Sequence, residues 1–167
     1  MSLQCQRFLE LGAGSGLISI YAAKNGARVT ATDINPVAIE YLEKNGVTNG
    51  VNLAILHSDL FTHIAEQVYD IIAINPPYYK KKPIHARDFA WYCGEKGEYF
   101  ESLFSDLGRY TTNDSQVFMT LFEGCDFEMI GGIAAQNNFR LVCIQTQKNL
   151  LEKNFIYKIE KKLDRGN

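Results

Sequence analysis

The 167-residue chain predicts an α/β fold: a doubly wound sheet of seven strands, mostly parallel, with the last strand antiparallel. Three observations carry this. Short apolar or β-branched runs alternate with stretches of helical period, the pattern of β-α units around a parallel sheet. The first run stops at "GAGSG" (12–16), where such a sheet opens its first strand-to-helix crevice. The last two runs, "FRLVCIQTQ" (139–147) and "KNFIYKIEK" (153–161), sit close together and read as an antiparallel hairpin at the sheet edge.

The first strand is "QRFLEL" (6–11), and the first helix is "LISIYAAKNG" (17–26), closed by Gly26 just past its end. "ARVTATD" (27–33) is a β-branched second strand. Asn35 then caps a helix over 35–46, with Pro36 at its first position. "VNLAILHSD" (51–59) is the third strand, "LFTHIAEQ" (60–67) a short helix and "YDIIAI" (69–74) the fourth strand. Residues 83–97 are irregular and read as a functional loop. "EYFESLFSDLGRYT" (98–111) is amphipathic, with Tyr99, Leu103, Leu107 and Tyr110 near helical spacing. "SQVFMTLF" (115–122) is the fifth strand, and "FEMIGGIAAQN" (127–137) a helix weakened by two glycines. No repeat, linker or low-complexity stretch divides the chain, so residues 1–167 form one domain. Residues 1–3, "MSL", read as a remnant of expression and are set aside. The first strand begins about five residues from the start, so any helical domain that ought to precede the sheet is missing from this chain.

Bulk properties exclude several classes. A chain of this length buries enough surface to fold without a disulfide or metal. Cys5, Cys93, Cys125 and Cys143 are far apart, with no C-x-x-C pair and no histidine at ligand spacing, so reduced thiols and no metal are expected. No apolar run reaches the ~20 residues of a membrane span and no signal peptide is visible, which places the protein in the cytoplasm, away from membranes. The net charge of −2 provides no global attraction to nucleic acid.

The glycine loop and the strand ends suggest a ligand. Gly12, Gly14 and Gly16 permit a tight turn and close ligand approach beside a helix N-terminus, although G-x-G-x-G alone also describes ordinary turns. Asp33, 21 residues after Gly12 at the end of the second strand, can accept from both ribose hydroxyls of an adenosine, or cap the helix after it. Asp59 at the third strand end is placed for an adenine edge, or for a helix cap. Nicotinamide cofactors use the same crevice, so these features alone do not choose the chemistry. Glu10, beside the loop, would repel a pyrophosphate and suit a cationic ligand such as a sulfonium.

The fourth strand makes the choice. It ends in "NPPYYKKK" (75–82), and two prolines cannot continue a strand. The fourth strand lies beside the first in a doubly wound sheet, so Asn75 should face the glycine loop. The Asn75 amide oxygen and the Pro76 carbonyl can accept both hydrogens of a planar –NH2 group, with Tyr78 against its flat face. Two acceptors out of the plane favour a tetrahedral nitrogen and aim its lone pair. The proton is lost readily once the nitrogen is cationic, so no strong base is required.

"LELGAGSG", "ATD", "SD" and "NPPY", in that order and spacing, resemble the class I S-adenosyl-L-methionine-dependent methyltransferases that modify planar amino nitrogens, with a Rossmann-like fold. The resemblance implies a cofactor site at Glu10, Gly12, Ala13, Gly14, Gly16, Asp33, Ile34, Asp59, Leu60 and Asn75. It implies a catalytic site at Asn75, Pro76, Pro77 and Tyr78. "AWYCGEKGEYFESLF" (90–104) is further similar to the protein-glutamine N5-methyltransferases, which modify peptide-chain release factors, with Cys93 where glycine is common. Members of that group carry an N-terminal substrate-recognition domain, absent from this chain. The similarity of this loop makes a release-factor-like protein the expected partner ahead of nucleic acid.

Other readings stand beside this one. An N6-adenine or N2-guanine methyltransferase would use the same strand ending, with Lys80, Lys81, Lys82 and Arg87 meeting phosphates. Otherwise those side chains form a solvated loop. A non-catalytic partner subunit would be expected to have lost the NPPY sequence, and a dehydrogenase would need an acid/base that is not evident. His57, His63 and His85 read as strand, surface-helix and loop residues. Tyr21, Phe100 and Phe104 read as core, and Trp91 and Tyr92 as substrate contacts or a lid.

Overall fold

A computed structural model describes residues 3–148 and 152–162. Seven strands form one sheet in the order β3-β2-β1-β4-β5-β7-β6. They are β1 (Arg7–Leu11), β2 (Arg28–Asp33), β3 (Leu53–His57), β4 (Ile71–Ile74), β5 (Gln116–Phe122), β6 (Phe139–Lys148) and β7 (Lys153–Lys161). The pairings from β3 through β5 are parallel, and β7 is antiparallel to both β5 and β6. The expected hairpin is present, but β7 inserts between β5 and β6, so β6 is the edge strand.

Four helices flank the sheet: α1 (Leu17–Lys24), α2 (Pro36–Thr48), α3 (Glu98–Leu107) and α4 (Phe127–Gln136). Asn35 caps α2 as its sequence predicts, its side-chain oxygen accepting from the Val37 amide at 3.0 Å. Gly26 follows α1 with φ +90°, the left-handed turn that glycine enters without strain.

The sheet separates two apolar cores. In β5, Val117, Met119 and Leu121 alternate inward and meet Phe100, Leu103, Phe104 and Leu107 of α3 and Ile130 and Ile133 of α4. On the opposite face Phe8, Val29, Ala31, Ile71 and Ala73 pack with Ala22 of α1 and Leu42 of α2. Leu3, set aside on sequence grounds, packs against this second core. Met1 and Ser2 lie outside the described residues.

Three expectations are corrected. Residues 60–63 form a turn and 64–67 are irregular, with no helix, and His63 lies on the turn. Leu60 has φ +44°, incompatible with helix, and the Tyr110 hydroxyl takes the carbonyls of Phe61 at 3.5 Å and Ile64 at 3.1 Å. Phe61 and Ile64 are buried all the same, and the Phe61 ring stacks on Tyr110 at 4.3 Å. β3 stops at His57 and leaves Asp59 on the following turn. Tyr21 is 65% exposed, because α1 buries the face of Ser19 and Ala22, whereas Phe100 and Phe104 are core as expected.

Candidate active site

A cleft of about 460 Å³ opens at the C-terminal ends of β1, β2, β3 and β4, the position at which doubly wound sheets bind ligands. Its walls include Gly12, Gly14, Asp33, Ile34, Asp59, Leu60, Asn75 and Pro77, all proposed from sequence. Glu10, Ala13, Gly16, Pro76 and Tyr78 are not on those walls.

The glycine loop is shaped by left-handed backbone. Gly12 and Gly14 have φ +71° and +54°, and a Cβ on Gly12 would stand 3.9 Å from the Asn75 carbonyl oxygen, in the space between loop and β4. Gly16 caps α1, and a side chain there would collide with Leu42 of α2. Glu10 lies behind the loop, 5% exposed. It accepts hydrogen bonds from the Ser19 amide at 2.8 Å and from the Ser19 hydroxyl. Burial pushes its carboxyl up to about 7, against the opposing pull of the Ser19 hydrogen bonds. Its immediate role is at the N-terminus of α1.

The carboxylate of Asp33 ties two strand ends together. One oxygen accepts from the Gly14 amide at 2.9 Å and the other from the Asn35 amide at 2.8 Å. Each oxygen keeps a further lone pair, so Asp33 can hold the loop and still accept from two hydroxyls. Ile34 receives a hydrogen bond on its carbonyl from His57 Nε2 at 2.7 Å, which ties the turn between β2 and α2 to the end of β3. Tyr99 of α3 closes this end of the cleft. Burial raises its phenol, and the carboxylates of Asp59 and Asp33 add to the effect, so the hydroxyl stays protonated.

On the other side, the Asn75 side-chain oxygen accepts from the Thr120 hydroxyl of β5 at 2.7 Å. Thr120 was not legible as a site residue, because only the β4–β5 pairing brings it beside Asn75. Tyr78 turns away from the cleft: its ring packs on Phe122 with centroids 4.3 Å apart and against Tyr79 at 4.8 Å. In this structure the ring is held by those two neighbours and does not line the cleft.

The irregular loop is a flap built on the strand ending. The Trp91 carbonyl accepts from the amides of Tyr78 at 3.2 Å and Tyr79 at 2.9 Å, and the Cys93 amide donates to the Tyr79 carbonyl at 3.0 Å. A short 3₁₀ turn, Ala86–Ala90, is anchored by Asp88, whose carboxylate accepts from the Ile84 and His85 amides. Phe89, Tyr92 and Cys93 face the cleft from the flap; Trp91 is 54% exposed and outside its walls. Lys80 bonds Asp126 at the start of α4 at 2.8 Å, and the Lys81 ammonium sits 5.0 Å from the centre of the Tyr92 ring. Among the described residues no cluster of three or more His, Cys, Asp or Glu is arranged for a metal, and no helix is long and apolar enough to cross a membrane.

Known proteins resemble this chain in sequence or in fold. The release factor glutamine methyltransferase of Flavobacterium psychrophilum is 39% identical over 90 residues, covering 50% of this chain and 32% of that protein. The tRNA1(Val) (adenine(37)-N6)-methyltransferase of Aliivibrio fischeri is 27% identical over 142 residues, covering 75% of this chain and 61% of that protein. The magnesium protoporphyrin IX methyltransferase of Synechocystis, solved with bound S-adenosyl-L-methionine, superposes with a TM-score of 0.70 at 16% identity, over 96% of this chain and 72% of that one. The chain spans about a third of the length of most of the curated relatives it first matches. Residues 2–91 match the family described as the methyltransferase small domain, a match that runs from β1 through the NPPY strand ending into the flap, and the chain belongs to that family.

Proposed function

We propose that the chain is an S-adenosyl-L-methionine-dependent N-methyltransferase whose acceptor is a planar amino group, the side-chain amide of a protein glutamine. The observation that carries the reading is the pairing across one cleft of an adenosine-type wall with Asn75, at the end of β4 facing the glycine loop. The residues present fit the donor. Gly12 leaves room where a side chain would stand, Asp33 retains acceptors for ribose hydroxyls, and Asp33, Asp59 and Glu98 make the walls acidic, which suits a cation. When bound, S-adenosyl-L-methionine supplies an electrophilic methyl group on a sulfonium.

The protein's own part is orientation and charge. We assign the two oxygen acceptors for the amino hydrogens to the Asn75 amide, which Thr120 fixes, and to the Pro76 carbonyl, which does not line the cleft in this structure. As the new N–C bond forms at the expense of the sulfonium S–C bond, which would leave a neutral thioether, the nitrogen becomes cationic and those oxygens stabilise it. One of its protons then leaves to solvent. A protein acceptor is supported by the partners of two of the basic side chains, the Asp126 carboxylate beside Lys80 and the Tyr92 ring beside Lys81, while Lys82 and Arg87 stay exposed.

A nucleobase amine is the second reading. It is favoured by the exposed side chains of Tyr79, Phe89 and Trp91 around the flap, on which a base can stack. Radiolabelled methyl transfer to a purified release factor, total tRNA and ribosomal RNA, side by side, separates the readings. Label is expected in the release factor. Asn75→Ala is expected to bind S-adenosyl-L-homocysteine and transfer no label; full activity in that variant removes Asn75 from the mechanism. Label in RNA alone selects the second reading.

A further inference from the structure

The turn after β3 contains a backbone conformation that a leucine seldom adopts. Leu60, on the cleft wall, has φ +44° in the left-handed region. Ser58, two residues earlier and 3% exposed, holds that turn in place. Its hydroxyl donates to the Leu60 carbonyl at 2.9 Å and accepts from the His63 amide at 3.0 Å. Its amide donates to the Asp33 carbonyl at 3.0 Å. One residue thus joins the end of β2, where Asp33 sits, to the strained turn that carries Asp59 and Leu60.

We propose that Ser58 is a positioning residue for the adenosine end of the cleft: its hydroxyl holds Leu60 in the left-handed conformation and so sets Asp59 and Leu60 in register with Asp33. The inference rests on the donor reading above. A hydroxyl can donate to one end of the turn and accept from the other at once. Alanine can do neither, and Leu60 is then free to relax to negative φ, which turns its side chain and carbonyl away from the wall. Threonine keeps both bonds.

Titration calorimetry with S-adenosyl-L-homocysteine reads the effect directly. Ser58→Ala is expected to weaken binding about tenfold, and Ser58→Thr to restore it. Leu60→Gly separates positioning from general destabilisation, because glycine enters the left-handed region without strain. In the Leu60→Gly background, adding Ser58→Ala is expected to cost no further affinity. The same tenfold loss in both backgrounds, or unchanged binding in Ser58→Ala, overturns the inference. If Ser58→Ala alone does not fold, the double variant decides: folding and binding like Leu60→Gly supports the inference, and failure to fold overturns it. Wild-type protein that binds no S-adenosyl-L-homocysteine removes the donor reading, and this inference with it. Wild-type binding with an unaffected Ser58→Ala removes this inference alone.

Discussion

Glu10→Gln should convert a pH-dependent stability into a flatter one. Glu10 is buried behind the glycine loop with Ser19 as its hydrogen-bond partner, and burial raises its carboxyl from 4.5 to about 7. The folded state therefore prefers the protonated acid. Its contribution to stability is fully present below about pH 4.5 and is lost as the pH rises through about 7. At 1.36 kcal/mol per pKa unit, the full loss is about 3 kcal/mol. Between pH 5 and pH 8 the loss is about 2.5 kcal/mol, since part of it has already occurred by pH 5. Glutamine has nearly the same shape and does not titrate, and any constant cost of the exchange cancels when one variant is compared across pH. Urea unfolding of both proteins at pH 5, 6, 7 and 8 measures the effect. The stability difference should move in favour of the glutamine variant by about 2–3 kcal/mol across that range. A difference that stays flat with pH would refute the reasoning, since it would mean that the folded protein leaves this carboxyl at its ordinary value.

Two further outcomes are expected, one from Asp33 on the cleft wall and one from Thr120 beside Asn75. Asp33→Ala should abolish the stabilisation by S-adenosyl-L-homocysteine and, because Gly14 and Asn35 both lose an acceptor, lower the stability of the ligand-free protein by about 1–3 kcal/mol. Calorimetry and urea melts measure the two parts, and unchanged binding would sink the ribose assignment. Thr120→Val keeps the shape but removes the hydrogen bond to Asn75. It should lower kcat for methyl transfer roughly tenfold with donor affinity unchanged, and Thr120→Ser should recover the rate. Equal rates for the valine variant and wild type would show that the amide of Asn75 is oriented by something else.

Much of the scaffold was legible because local signals agreed. β-branched runs, a proline at the first position of α2 and an asparagine before it each point to the same element, and Asn35 caps as its type requires. The failures share a physical cause, which is that a tertiary partner decided the outcome. "LFTHIAEQ" has helical spacing, yet Tyr110, more than forty residues later, captures the carbonyls that a helix would use. Tyr21 has the hydrophobicity of a core residue but sits on the outward face of α1, whose buried side is made of Ser19 and Ala22. Thr120 and Ser58 carry no signal in isolation, since their importance lies in which oxygen each hydroxyl meets.

The hydrogen bonds around the cleft form two separate systems, and this bears on how one fold serves different acceptors. On the donor side, Asp33 binds the amides of Gly14 and Asn35, and Ser58 binds the carbonyls of Asp33 and Leu60. These bonds link the ends of β1, β2 and β3 without involving the flap. On the acceptor side, the Trp91 carbonyl receives both the Tyr78 and Tyr79 amides, and Lys80 fastens the flap to Asp126. The end of β4 and the flap are thus one bonded unit. A change of sequence or length in the flap will move Pro77 and Tyr78 with Trp91, while Gly12, Gly14 and Asp33 keep their partners. Under the proposed function, acceptor choice would therefore change through residues 79–94 with donor binding intact, and the amide of Asn75, held from β5 by Thr120, would be the fixed point between the two systems.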